Sequence, residues 1–218
     1  MLVEKKLTDL KKELVEYASL VEKMIEKSTK GLLNKEKNLL SDVIQKHEPK
    51  VNTLEMNLDE QCTILIAQYQ PAAKDLRTIL MILKMANDLE RMGDHTVNIA
   101  ESALFLIERP PVKPLIDIPR MTETTQKMLH DGIEAFINED VGLAKNVCER
   151  DNIVDNLQVQ ILRELITFMG EKPAVIERSL HLIRIANNLE RIADLSTNIC
   201  EDVVFMAEGK VIKHHRDE

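Results

Sequence analysis

In NDLERMGD, residues 87–94, and again in NNLERIAD, residues 187–194, a glutamate is followed four places on by an aspartate. Residues four apart are neighbours on a helix, so Glu90 and Asp94, and Glu190 and Asp194, hold like charges side by side. That arrangement costs a few tenths of a kcal/mol per pair in an isolated helix, and more when partly buried. Building it twice calls for something positive opposite. Carboxylates gathered in this way are hard oxygen ligands, which suit Mg, Ca, Mn or ferric iron rather than thiolate-loving zinc.

The repeat extends beyond the acids. Residues 85–101 (MANDLERMGDHTVNIAE) and 185–201 (IANNLERIADLSTNICE) agree at nine of seventeen positions, and most of the matches are polar. Core positions drift among Leu, Ile and Met, so a duplicated polar pattern points to a site kept in each half.

The facing helices supply further acids. The turn at Gln70-Pro71 predicts an antiparallel hairpin in which Glu90 faces residue 50 and Asp94 faces residue 46, with Glu48 in range and Asn52 one turn on. Glu55 and Asp59 fall nearer residues 81–85, away from the other acids. In the second half a turn near residue 171 sets Glu190 opposite about 152 and Asp194 opposite about 148, beside Asp151 and Asp155. Three or four carboxylates from two helices therefore converge on one patch in each half. Glu48, Glu90 and Asp94 are the metal-ligand candidates of the first patch, and Asp151, Asp155, Glu190 and Asp194 those of the second. The plainer reading is that these acids only pair with Arg91, Arg191, Lys50, Lys145 and Arg150 at the surface, where ion pairs contribute little.

The elements that carry these residues all read as helix. Leu7, Leu10, Leu14, Tyr17, Val21 and Met24 alternate at spacings of three and four, an amphipathic helix over residues 5–30 with Gly31 as its stop. A second helix covers 35–69, kinked or broken at Pro49, and a third runs from Pro71 to about 109. Four prolines between residues 110 and 119 exclude a helix there and mark a linker. Three more helices follow, at about 117–138, 141–169 ending at Gly170, and Pro173–208 closed by Gly209. The expected fold is all-α: two tandem three-helix bundles, residues 1–109 and 120–218, joined by the linker 110–119.

Composition agrees with helices and narrows the function. Aromatic residues make up 3% of the 218 residues, Trp is absent and Met numbers ten. A net charge of −8 argues against nonspecific nucleic-acid binding. The charged start MLVEKKLTDLKKEL has no apolar signal core, and QCTILIAQYQPAA, the longest uncharged run, is too short to span a bilayer as a helix. A cytoplasmic protein is expected. Cys62, Cys148 and Cys200 fit neither a disulfide framework nor a CxxC site and read as reduced core residues, with Cys148 placed near Asp194. No His follows a Glu by three, as di-iron carboxylate bundles require, and no phosphate-binding loop or nucleophile elbow is present. An enzyme is not expected. His214 and His215 lie in a charged tail and read as disordered rather than coordinating.

With these residues in view, the chain resembles the PhoU family. The resemblance is carried by VNTLEMNLDEQC in the second helix, QPAAKDLRTI opening the third, and NDLERMGDHTVNIAE followed by NNLERIADLSTNICED. It covers essentially the whole chain. It implies two repeated three-helix bundles, each with an E(D)xxxD motif, in a bacterial regulator that accompanies the phosphate-specific ABC transporter. Such a regulator links the transporter's ATPase subunit to a membrane sensor histidine kinase, represses the phosphate-starvation response when phosphate is ample, and reaches the membrane only through those partners. The resemblance also implies a homodimer and, in some members, multinuclear iron clusters on the acidic motifs. Glu90, Asp94, Glu190, Asp194, Asp151 and Asp155 match the motif positions, with Glu48 the first-half counterpart of Asp151. Asn188 stands in place of Asp88, Ala193 of Gly93, Leu195 of His95, and Asn52 of Asp155, so the two sites are expected to differ. The alternative is a metal-free helical scaffold with a chaperone-like role.

Overall fold

The computed structural model describes residues 2–209; His214 and His215 lie outside the described residues. Helix α1 spans Leu2–Asn34, α2 Lys37–Asp42, α3 Glu48–Tyr69, α4 Ala73–Ile107, α5 Asp117–Asn138, α6 Val141–Glu171 and α7 Ile176–Glu208. A π-helical turn, Val43–His47, joins α2 to α3 without a break, so among the described residues the chain forms six rods. The three rods of each half pack as a bundle, as the periodicity predicts.

Pro49 explains the π turn. Its ring crowds the carbonyl four residues back, and it offers no N–H to the helix ladder. Widening the preceding turn keeps the helix continuous instead of breaking it. Asp42 O accepts a 2.7 Å hydrogen bond from His47 Nδ1, and the other ring nitrogen of His47 lies 3.4 Å from Lys27 Nζ. A single tautomer, protonated at Nδ1, satisfies both contacts.

Helix ends follow local chemistry. Lys35, Gln70 and Glu139 adopt positive φ at the ends of α1, α3 and α5, and Gly209 does so after α7. Asp140 caps α6 by accepting from the Leu143 amide at 2.9 Å. Gly31 and Gly170 do not stop their helices, contrary to expectation; α1 runs on to Asn34 and α6 to Glu171. At Gly31 the reason is packing. A Cβ there would stand 2.5 Å from Leu40 Cδ2, so the missing side chain lets α2 fold back against α1.

One apolar core runs through both bundles, from Leu14, Val21 and Met24 of α1 through Met85, Leu89 and Met92 of α4 to Leu189, Ile192 and Val203 of α7. The central seam is the antiparallel pair α4 and α7. Lys84 pairs with Asp202 at one end, His95 Nδ1 meets Asn188 Oδ1 at 2.9 Å near the middle, and Arg184 reaches Asn98 at 2.6 Å at the other end. Lys84 and Arg184 occupy equivalent places in the sequence repeat, so the seam has approximate two-fold symmetry. Helices α1 and α5 also run antiparallel, with Lys11 and Glu139 3.4 Å apart and Thr29 and Thr122 3.1 Å apart. Lys113 of the proline-rich connection is nearly buried and pairs with both Asp117 and Glu164, fixing the crossover to α5 and α6.

Candidate functional site

Helix α4 presents Glu90 half-buried and Asp94 exposed on the flank that faces α3. The register with α3 is set by Gln70, Pro71 and Ala72, which lie outside both helices. That extra length moves the pairing by about one helical turn from the hairpin expectation. Gly93 lies level with Val51, whose Cγ1 is 3.0 Å from where a Cβ would be. The shift corrects one reading: Glu55 does not fall near residues 81–85 but within the field of Glu90. Burial raises the Glu90 carboxyl above its ordinary range; the charges of Asp94 and Glu55 add to this, Arg91 offsets part of it, and Glu48 contributes least. The first patch thus holds the expected Glu48, Glu90 and Asp94 together with Glu55, which a tighter allowance for turn length would have found. Glu48 Oε1 accepts from Asn52 Nδ2 at 3.2 Å.

Beneath these acids lies Tyr17 of α1. Its side chain is 0% exposed and its hydroxyl has no hydrogen-bond partner. Burial, then the charges of Glu90, Glu55 and Asp94, push its phenol far above the ordinary range. Sequence periodicity assigned Tyr17 only to the apolar seam of α1, and nothing in its spacing marks the polar end of the ring.

The second patch follows the same plan with different detail. Gln158 of α6 meets Asn187 of α7 at 2.9 Å, which puts Asp155 level with Glu190. Burial raises the Glu190 carboxyl, Asp194 and Asp155 add to the rise, and Arg191 opposes it. Asp151 is buried, at 1% exposure. Cys148 approaches the Thr197 carbonyl at 4.0 Å, about one turn beyond Asp194, and all three cysteines are reduced and buried.

The arginines of the two patches differ. In the first half Arg91 pairs with Asp88 at 3.3 Å and reaches Glu90 only as a nearby charge. In the second half that partner is Asn188, which is held by His95 and the Arg184 carbonyl, and Arg191 turns back onto Glu190 at 3.7 Å and Asp194 at 3.5 Å. Further along α4, Asn98 and Glu101 leave the acidic stripe and pair with Arg184 of α7. Among the described residues, no three His, Cys, Asp or Glu side chains stand close enough together to hold an ion. Each patch is therefore an open set of like charges, with an all-oxygen donor set and, in the first, a buried hydroxyl lacking a partner.

The same arrangement of sequence and fold occurs in known proteins. The PhoU domain matches residues 14–103 and 118–203. A phosphate-specific transport system accessory protein PhoU homolog from Aquifex aeolicus is 41% identical over 210 residues, covering 96% of this chain and 95% of that protein. The homolog from Pseudomonas aeruginosa is 34% identical over 95% of this chain and 86% of its own length. The crystal structure of PhoU from Pseudomonas aeruginosa superposes with a TM-score of 0.90 at 34% identity, covering 95% of this chain and 99% of that one. PhoU from Streptococcus pneumoniae, described as a phosphate transport system regulatory protein, gives 0.89 at 26% identity, covering 97% of this chain and 99% of that one. A repeated helical bundle, a repeated acidic motif and near full-length agreement with these relatives lead to one conclusion: the chain belongs to the PhoU family.

Proposed function

We propose that this protein is a cytoplasmic regulator of phosphate uptake and phosphate-starvation signalling, an adaptor between the ATPase subunit of a phosphate ABC transporter and a sensor histidine kinase. The observation that carries the reading is the near full-length match to proteins named as accessory to phosphate-specific transport. Among the described residues no helix is long and apolar enough to cross a membrane, which accords with reaching the membrane through partners. The adaptor acts by binding rather than catalysis, and a homodimer is its working form.

Both acidic patches are proposed to take hard cations, with Glu48, Glu90 and Asp94 serving one and Asp151, Asp155, Glu190 and Asp194 the other. Support comes from the fields: in each half, an acid of the facing helix raises the central glutamate. The donor set fits Fe, Mn, Mg or Ca. A bound cation would relieve the repulsion that the metal-free patch carries, and closing around it would require side-chain rotation.

Capture of the tagged protein from cells grown in high and in low phosphate, with metal measured on the same sample, tests both parts. The expected result is recovery of the transporter ATPase and the kinase with bound metal. Glu90→Ala with Asp94→Ala should empty the first site and leave the second loaded; unchanged metal content would remove the site assignment. The second reading, a metal-free scaffold, is favoured by Arg191, which already pairs with two of the acids. Elemental analysis after chelation and reloading separates the two.

A further inference from the structure

We infer that the Tyr17 hydroxyl is an oxygen donor of the first acidic site, making that site the tighter of the two for hard cations. This rests on the metal-binding reading above. Three observations support it. A hydroxyl buried without a partner is costly to keep, which a bound cation within reach would offset. The ring is fully buried in the core, and the charges that act on its phenol are those of Glu90, Glu55 and Asp94, the acids of the first patch. Arg91, the cation nearest that patch in sequence, makes its ion pair with Asp88 and acts on Glu90 only through its field.

The second site lacks each of these features. The only tyrosines are Tyr17 and Tyr69, so α5, which takes the place of α1 in the second bundle, offers no phenol. Gln158 stands where the repeat would place Glu55. Arg191 lies against Glu190 and Asp194, and an incoming cation must displace it. An ion choosing between the patches finds more oxygen donors and less competing charge in the first.

The absence of Trp gives a selective readout. Terbium(III), a hard oxygen-seeking cation, emits when a neighbouring tyrosine absorbs light and passes the energy on. Tyr69 lies fourteen residues along α3 from Glu55, ~21 Å of helix away. Emission excited through tyrosine therefore reports the first site. Titrating terbium chloride into the full chain should give sensitised emission in the wild type and in Tyr69→Phe, and none in Tyr17→Phe. In a Glu190→Ala, Asp194→Ala background, equilibrium dialysis counts the first-site ion directly. There Tyr17→Phe should weaken terbium binding roughly tenfold, through the loss of one oxygen ligand to the ion. Circular dichroism confirms that each variant is folded, and a variant that unfolds is replaced by Tyr17→Met, which keeps an apolar side chain and removes the oxygen. Undiminished first-site binding in a folded Tyr17 variant overturns the inference while leaving the metal site standing. If the wild type binds no terbium at either patch, the metal-binding reading itself fails.

Discussion

At the scale of single residues, the two copies of one motif differ through a change outside the acids themselves. Asp88 is buried beside Asp202 on the seam. Burial pushes its carboxyl up to about 6, and the Asp202 charge adds to the rise against the pull of Arg91 and Lys84. The folded protein therefore holds a proton there between about pH 4 and 6, where the unfolded chain has released it. Stability falls as pH rises through that window. Asp88→Asn should remove this part of the pH dependence, flattening denaturation midpoints between pH 4 and 6 and stabilising the fold at pH 7 by about 1–3 kcal/mol less the lost Arg91 pairing. Chemical denaturation at a series of pH values measures it, and a variant with the wild-type slope would show that another group is responsible. The same substitution frees Arg91 to turn onto Glu90 and Asp94, as Arg191 does in the second half.

At the scale of helices, glycine and proline were only partly legible from sequence. Gly209 closes α7 with positive φ, as its place after a periodic run implies. Gly31 has the same sequence appearance but sits inside α1, because what excludes a side chain there is Leu40, which the chain brings back nine residues later. Gly31→Ala should cost about 1–3 kcal/mol through overpacking despite its better helix propensity, as read from the thermal midpoint. An alanine that stabilised the protein would mean that α2 is not held against α1. Pro49 was legible as a disturbance, and the π turn is the form it takes. The hairpin register was legible to within a turn. The three residues outside the helices at positions 70–72 move every facing pair together, which is why Glu55 reads in sequence as lying away from the acids and yet belongs among them.

At the scale of the molecule, the six-rod plan could be read from periodicity, since apolar spacing records which face each helix buries. The way the halves meet could not, because the seam of α4 and α7 uses residues such as Asn188, Asn98 and Arg184 that look like ordinary surface polar groups in sequence. That seam has a kinetic consequence. Its contacts join residues 83 to 118 positions apart, whereas the α6–α7 pair is tied by residues 29 and 49 apart. Closing the longer loops carries the larger entropic penalty, so adjacent helices should condense early and the two halves dock late. Leu165→Ala, in the core of the second hairpin, should then slow refolding, while Asn188→Ala should mainly speed unfolding. Equal slowing of refolding by both would place docking in the rate-limiting step. Until docking, each half exposes the apolar stripe that its twin will cover, so a nascent chain passes through a stage in which the first repeat, already made, waits with a sticky flank for the second to leave the ribosome.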